Sequence, residues 1–237
     1  MRWEIIKRFE TQIQPYLSQI KTVAIVGGGP DEAELNIVEQ KIKVKAHFYG
    51  IEPEALPKEL FTFLDLNKEA HFEATYDLVI CSQVLEHVWD HEVAFRNLMK
   101  LVSEDGIIWI GCPASNYAHG SPLYFSAGFS PDFIANYLNK QGFKILMAEA
   151  LGSKRYYFLT HAMQIWATEK MHRAPLIYGI SRYYPRQVFF RIVASFMSSK
   201  VKTDIKWATE TVVFAQNLNQ YSDSISGAAI TDLSKQS

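Results

Sequence analysis

The chain has 237 residues, of which 48% are apolar, and a formal net charge of −1 with an isoelectric point near 6.7. This length suits one large α/β domain with a well-buried core, or two small domains. The near-neutral charge offers no global positive field for a polyanion, which argues against a general nucleic-acid binder.

The cysteine content and the N-terminal residues indicate the compartment. Cys81 and Cys112 each end an apolar run, which is typical of buried free thiols in a reducing environment. The first helix-like segment carries Glu4, Lys7 and Arg8 among its apolar positions, so it does not resemble a signal peptide. No apolar run has the length of a membrane span. We therefore expect a cytoplasmic protein with no membrane-spanning segment.

The N-terminal third begins with a helix and then a strand that ends in glycines. Apolar residues at helical spacing predict an amphipathic helix over residues 3–17, with Trp3, Ile6, Phe9, Ile13, Tyr16 and Leu17 on one face. The run Val23 to Val26 predicts a buried strand, which Gly27, Gly28 and Gly29 end at once. The residues that follow, DEAELNIVEQ, predict a helix to about residue 40.

Strands and helices alternate along the rest of the chain. Apolar periodicity predicts six more strands, at residues 44–51, 60–66, 76–82, 107–112, 143–150 and 210–216. Helices are predicted at 92–102, closed by a turn at Asp105-Gly106, and at 131–141, closed by Gly142. This alternation is typical of a mostly parallel, doubly wound α/β sheet. The glycine- and aromatic-rich residues 113–130 predict a long ordered loop.

Two segments interrupt this pattern. Residues 152–208 mix aromatic, basic and proline positions, and we interpret them as a largely helical insertion before the last strand. This insertion either completes a lid over the site or forms a homodimer contact. Residues 218–237 are polar and serine-rich, which predicts a disordered tail behind a domain of residues 1–217.

The glycine turn indicates the kind of ligand. Gly27 and Gly29 fit the start of a dinucleotide-binding turn, but Glu32 occupies the position of its third glycine. An acid there would repel a pyrophosphate at the helix N-terminus. An ordinary tight turn is the alternative. If the turn binds a ligand, that ligand has no phosphate here, and the zwitterionic amino-acid portion of S-adenosylmethionine is compatible.

Acidic residues at the next two strand ends support a nucleoside ligand. Glu52 ends the second strand, 25 residues after Gly27, where a carboxylate can accept both hydroxyls of a ribose. Asp65 ends the third strand and can accept a hydrogen bond from an adenine amino group. Each acid alone is more often a solvated residue, but the combination with the glycines favours the functional interpretation.

Several segments together resemble the class I S-adenosylmethionine-dependent methyltransferases, in particular their small-molecule and glycan branch with type 11-like domains. The resemblance covers roughly residues 20–150 and rests on VAIVGGGPDE, FYGIEP, FLDL, YDLVICSQVLEHVWD and LVSEDGIIWIGCP. It implies a Rossmann-like seven-stranded sheet with its last strand antiparallel, and S-adenosylmethionine as cofactor. The implied cofactor contacts are Gly27, Gly29, Glu52, Asp65, Leu66, Ser82, Gln83 and His87.

The chain departs from the family pattern at the first strand. The family commonly has an acid two residues before the first glycine, where this chain has Ile25, and a third glycine where it has Asp31. We expect Asp31 to take over part of the missing acid's role toward the cofactor ammonium.

The predicted chemistry is an in-line methyl transfer. Such a reaction mainly needs alignment of the nucleophile and exclusion of water, and an alcohol must also lose its proton. His119, in the loop after the fifth strand, is the first candidate for the base, and a loop histidine bonded to backbone is an equal alternative. No clustered metal ligands are evident near this site.

The sequence therefore predicts a methyltransferase acting on a small molecule or glycan, with oxygen as the expected acceptor atom. Surface-polysaccharide or natural-product biosynthesis is the expected setting, because the SAGFSP loop and aromatic insertion resemble enzymes of those pathways. A protein or tRNA methyltransferase is one alternative. A catalytically silent partner subunit that keeps the fold is another.

Overall fold

The computed structural model describes residues 3–30, 32–41, 43–51, 58–116, 122–152, 154, 157 and 205–218. These residues contain four α-helices, α1 Trp3–Ile13, α2 Ala33–Lys41, α3 His91–Lys100 and α4 Pro131–Lys140. They also contain seven strands, β1 Val23–Val26, β2 Ala46–Gly50, β3 Phe61–Phe63, β4 Tyr76–Ser82, β5 Val102–Pro113, β6 Phe143–Leu151 and β7 Glu210–Asn217. Every strand and helix predicted within the described residues is present.

The seven strands form one sheet in the order β3-β2-β1-β4-β5-β7-β6. β1 pairs in parallel with both β2 and β4, and β4 pairs in parallel with β5. β7 is antiparallel to β5 and to β6. This arrangement confirms the predicted doubly wound sheet with an antiparallel last strand. The strand order reverses between β1 and β4, and ligands of open α/β sheets bind at the carboxyl ends of strands at such a point.

Two hydrophobic cores cover the two faces of the sheet. One face packs against α1 and α2 through fully buried side chains that include Phe9, Leu35 and Trp109. The other face packs against α3 and α4, with Phe95 and Leu138 at its centre. Burial on both faces explains why the central strands show apolar runs with little alternation.

The buried stripe of α1 differs from the predicted one. The sequence analysis placed Ile6 on the apolar face, whereas the structure buries Ile5, Phe9 and Ile13 and leaves Ile6 half-buried. These three positions recur every four residues and form one face of the helix. Phe9 meets the Trp109 ring edge-on, with ring centroids 5.1 Å apart.

The clearest error in the predicted boundaries concerns β5. The sequence analysis assigned Val102 to a helix and a turn to Asp105-Gly106, whereas β5 begins at Val102. The pairing with β4 shifts register between Val102 and Ile107, and Asp105 adopts a φ of 59°. The turn-forming residues are therefore an irregularity within β5, because the strand pairs with β4 at Val102 and again from Ile107.

Several predictions fall outside the described residues. Most of the predicted insertion, residues 152–208, and nearly all of the predicted tail, residues 218–237, are among them. Cys81 and Cys112 are described, and both are buried free thiols as predicted. In the described part of the chain, no helix combines the length and apolar character that crossing a bilayer requires.

Candidate functional site at the carboxyl ends of the strands

The glycine turn begins at the carboxyl end of β1. Gly27 has a φ of +74°, and its N–H donates to the Tyr49 carbonyl of β2 at 2.7 Å. A Cβ at this position would lie 2.5 Å from Cγ2 of Val84, which follows β4. Gly27 therefore needs both the left-handed backbone and the missing side chain. At Gly29, in contrast, an added Cβ would meet no atom within 4 Å, so this part of the turn borders open space.

Glu32 places a carboxylate against the turn. Its N–H donates to the Gly29 carbonyl at 3.1 Å, and its side chain folds back so closely that a Cβ at Gly28 would lie 2.7 Å from its Cγ. This geometry agrees with the sequence argument that the turn disfavours a phosphate, because the acid lies over the turn itself. Asp31, predicted to face the cofactor ammonium, is outside the described residues.

The end of β2 connects the turn to the next strand. The Gly50 carbonyl accepts from the Leu64 N–H at 2.8 Å, and a Cβ on Gly50 would lie 3.8 Å from Gly27 Cα. The ends of β1, β2 and β3 are therefore adjacent, as the sequence analysis predicted. Glu52, the predicted ribose ligand, lies outside the described residues.

Asp65 follows β3 and is held by its neighbours. Its Oδ1 accepts from the Asn67 backbone N–H at 3.0 Å and from Asn67 Nδ2 at 3.1 Å. Its Oδ2 lies 3.2 Å from Lys68 Nζ. Burial opposes ionisation of Asp65, but the hydrogen bonds from Asn67 and the pairing with Lys68 outweigh it and lower the pKa of this carboxyl. Leu66, the next predicted contact, has a buried side chain in the core.

Ser82 and Gln83 mark the carboxyl end of β4. Ser82 Oγ donates to Glu34 Oε1 of α2 at 2.8 Å. Gln83 has a φ of 57°, unusual for a residue with a side chain, and its N–H donates to the Gly111 carbonyl at 2.7 Å. Gln83 Nε2 also donates to Glu210 Oε2 of β7 at 3.2 Å. Such backbone conformations cost about 1–3 kcal/mol and cluster at ligand sites.

The segment after β4 supports the loop that follows β5. Residues Leu85–His87 form a 3-10 helix, and the Glu86 carbonyl accepts from the N–H groups of Phe125 and Ser126 at 2.9 and 3.2 Å. His87 Nδ1 donates to the Leu123 carbonyl. His87 therefore lies between the strand end and this loop. His119, the predicted base in the same loop, lies outside the described residues.

Exposed apolar side chains concentrate around this edge of the sheet. Large apolar residues that are about half or more exposed lie at the end of β3 and in the segments after β2, β4 and β5, and they are Ile51, Phe63, Trp89, Leu123 and Phe125. We call these five residues the apolar rim. Since scattered exposed apolar residues are normal on any protein, the informative feature is their shared position around the crevice.

The structure also shows polar residues that the sequence analysis did not select. Glu34 has no exposed surface, and burial raises its pKa although the hydrogen bond from Ser82 opposes the shift. Its spacing of four from Val38 could have shown that it lies on the buried face of α2. Asn67 could have been found from the Asp-x-Asn pattern, because aspartate often bonds the backbone two residues later.

Comparison with known proteins gives a family and a fold. A family model described as a methyltransferase domain matches residues 21–150. Among curated proteins, no sequence matches the chain.

Solved structures resemble the chain over most of its length. An O-methyltransferase from a trans-AT PKS multienzyme of Brevibacillus brevis, in complex with S-adenosyl-L-homocysteine, has a TM-score of 0.54 and 14% identity, covering 90% of this chain and 72% of that one. Coclaurine N-methyltransferase, bound to N-methylheliamine and SAH, has a TM-score of 0.53 and 13% identity, and the match covers 90% of this chain and 72% of that one. The [4+2]-cyclase SpnF has a TM-score of 0.51 and 15% identity, and the match covers 87% of this chain and 80% of that one. At these identities the likeness is one of fold.

Proposed function

The chain belongs to the methyltransferase domain family, and from this premise we propose that it transfers a methyl group from S-adenosylmethionine to a small-molecule acceptor. The observation that carries the proposal is the turn after β1. This turn combines a sterically required glycine at Gly27, an open position at Gly29 and the carboxylate of Glu32. A site of this kind suits a nucleoside whose other end carries an ammonium group and no phosphate, since the Glu32 carboxylate would repel a phosphate.

The described residues fit such a cofactor. The lowered pKa of Asp65 keeps its carboxylate ionised at neutral pH, so it accepts hydrogen bonds and suits the amino group of adenine. We propose Glu52 as the ribose ligand, and Ser82, Gln83 and His87 as further contacts along the crevice. Asp31 is proposed to face the methionine ammonium. Bound S-adenosylmethionine supplies an electrophilic methyl group on a sulfonium, and the chain's own task is alignment and exclusion of water.

We further propose that the methylated atom is oxygen, with His119 as the base that takes the hydroxyl proton. The acceptor would be a small molecule or glycan of natural-product or surface-polysaccharide biosynthesis. Within that range the apolar rim favours an acceptor with an apolar body, because burial of apolar surface contributes about 25 cal/mol per Å². Residues 152–208 are proposed to complete the acceptor pocket as a lid or to contact a second copy of the chain.

Two measurements test the proposed function. Isothermal titration calorimetry with S-adenosylmethionine and S-adenosylhomocysteine should show binding of both. The purified protein should then transfer a labelled methyl group to at least one small molecule recovered from its source cells by mass-spectrometric screening. Absence of binding to both nucleosides would overturn the proposal, and binding without transfer would favour a silent partner subunit.

A further inference from the structure

Asn67 lies two residues beyond the carboxylate proposed to recognise the adenine base. We propose that Asn67 is a positioning residue whose side chain holds the Asp65 carboxylate in the orientation that selects a 6-amino purine. This inference rests on the proposed function, since it requires that Asp65 faces the base of the cofactor.

The contacts of Asn67 fix one oxygen of the carboxylate. The backbone N–H and Nδ2 of Asn67 both donate to Asp65 Oδ1, at 3.0 and 3.1 Å. Among the described residues, Oδ2 meets only Lys68 Nζ, at 3.2 Å, and the Lys68 side chain is 80% exposed. An ionised carboxylate has about four lone-pair positions, so Oδ2 retains capacity for another donor. Asn67 therefore determines which oxygen of Asp65 is offered to a ligand.

The opposite end of the Asn67 amide is anchored to a different element. Asn67 Oδ1 accepts from the N–H of Trp89 at 2.9 Å and from the N–H of Asp90 at 3.1 Å. Asp90 is the N-cap of α3, and its Oδ1 accepts from the Val93 N–H at 3.1 Å. Because the Asn67 oxygen must face these two donors, its NH₂ group must face Asp65. The amide cannot rotate away without breaking bonds at both ends.

This geometry has a consequence for base selection. An ionised Asp65 can only accept hydrogen bonds, so it pairs with the 6-amino group of adenine and meets a repulsive lone pair at the 6-oxo group of hypoxanthine. The loss of one hydrogen bond to a charged group corresponds to about ten- to a hundredfold in affinity. We therefore expect the wild-type protein to prefer S-adenosylhomocysteine over S-inosylhomocysteine by about that factor.

The test compares this preference in variants. In Asn67→Ala, the ratio of the two dissociation constants should fall by about three- to tenfold, because Asp65 Oδ1 keeps the backbone N–H of residue 67 as a donor but loses the Nδ2 donor that limits rotation of the carboxylate. Asn67→Asp is the second variant. It keeps the oxygen that accepts from Trp89 and Asp90 but replaces the donor to Asp65 with a negative oxygen, so the ratio should fall here too.

Asn97→Ala is the matched control. Asn97 is a buried asparagine of α3 that stabilises the same loop, since its Oδ1 accepts from the Ala70 N–H at 3.0 Å and its Nδ2 donates to the Lys68 carbonyl at 2.8 Å. It makes no described hydrogen bond to Asp65. We expect Asn97→Ala to lower the melting temperature while keeping the wild-type ratio. If Asn67 had only a structural role, Asn67→Ala would likewise lower the melting temperature and keep the wild-type ratio of the two dissociation constants.

The outcomes separate the two proposals. If the wild type binds neither nucleoside, the proposed function fails and this inference fails with it. If the wild type binds both nucleosides equally well, Asp65 does not select the base and the inference is overturned, while the proposed function stands. If the wild type prefers S-adenosylhomocysteine and either folded variant at Asn67 keeps the full ratio, the positioning role of Asn67 is overturned. The selection of the base by Asp65 and the proposed function then stand.

Discussion

Gly27→Ala and Gly29→Ala are two substitutions in one turn for which the structure predicts opposite effects. A methyl group at Gly27 would lie 2.5 Å from Val84 Cγ2 and 2.8 Å from Cγ1, in a backbone with a φ of +74°. A methyl group at Gly29 would meet nothing within 4 Å. We therefore expect Gly27→Ala to impair the fold and Gly29→Ala to impair only the ligand's access.

The magnitudes follow from these contacts. The left-handed backbone costs a residue with a side chain about 1–2 kcal/mol. Overpacking against Val84 adds about 1–3 kcal/mol, so Gly27→Ala should lower the free energy of unfolding by roughly 2–5 kcal/mol. Gly29→Ala should change it by less than about 0.5 kcal/mol, as at other unconstrained surface positions. If the cofactor approaches the turn at Gly29, the added methyl group should weaken its binding by about ten- to a hundredfold.

The assays are urea unfolding for stability and calorimetry with S-adenosylhomocysteine for affinity. Val84→Ala in the Gly27→Ala background provides the control, because both clashing atoms belong to the Val84 side chain. The free energy of unfolding of the double variant should exceed the value expected from adding the two single effects by about 0.5–3 kcal/mol. A Gly27→Ala protein of wild-type stability, or a Gly29→Ala protein with wild-type affinity, would refute the reasoning.

Three further predictions address residues elsewhere in the chain. Glu52→Ala should reduce affinity for S-adenosylmethionine by about one to two orders of magnitude, because it removes a carboxylate that holds both ribose hydroxyls; calorimetry on the folded variant checks this. His119→Ala should lower kcat by about a hundred- to ten-thousandfold and leave cofactor affinity unchanged. The wild-type kcat should fall as the pH drops through the imidazole pKa, near 6.5 if unperturbed. A kcat that does not change with pH in this range, with methyl transfer rate-limiting, would exclude a histidine base. The raised pKa of Glu34, caused by burial, means that its ionisation destabilises the fold progressively as the pH rises above 4.5. Glu34→Gln should therefore melt at a higher temperature than the wild type at pH 8 and lose this advantage toward pH 4.5, whereas a constant difference would place the effect in packing.

Much of the sheet could be predicted because its strands are buried on both faces. β4 was predicted with its observed boundaries, since the apolar run LVIC is flanked by Asp77 and Ser82. β5 was predicted too short, because Asp105-Gly106 is a strong turn signal in isolation. Val102 pairs with Tyr76 of β4, and the pairing with β4 and with β7 from Ile107 onward carries the strand past this segment despite the local preference. Tertiary pairing, which no local pattern encodes, decided that boundary.

The site was predictable where it depends on strand ends and unpredictable where it depends on side chains from distant elements. The ends of β1, β2 and β3 meet because parallel neighbouring strands share an edge. The bond from Ser82 to Glu34 joins residues 48 apart, and the bond from Gln83 to Glu210 joins residues 127 apart. Glu210 is fully buried although it begins a strand, where a carboxylate is normally solvated. Its burial follows from the position of β7 between β5 and β6, where Glu210 pairs with Pro113 and Leu151.

The protonation states at this edge restrict which residue can serve as a base. Burial, together with the charges of Glu86 and Glu210, raises the pKa of the Cys112 thiol well above its usual range, so this thiol is protonated and a poor nucleophile. Burial and the charge of Glu86 likewise raise the pKa of Tyr124, which remains a hydrogen-bond donor. His87 donates from Nδ1 to the Leu123 carbonyl, which holds its ring against the loop that follows β5. His87 therefore adjoins the loop that contains His119, and both histidines are candidates for the base. Only parallel kcat measurements on His87→Gln and His119→Ala can assign the proton transfer.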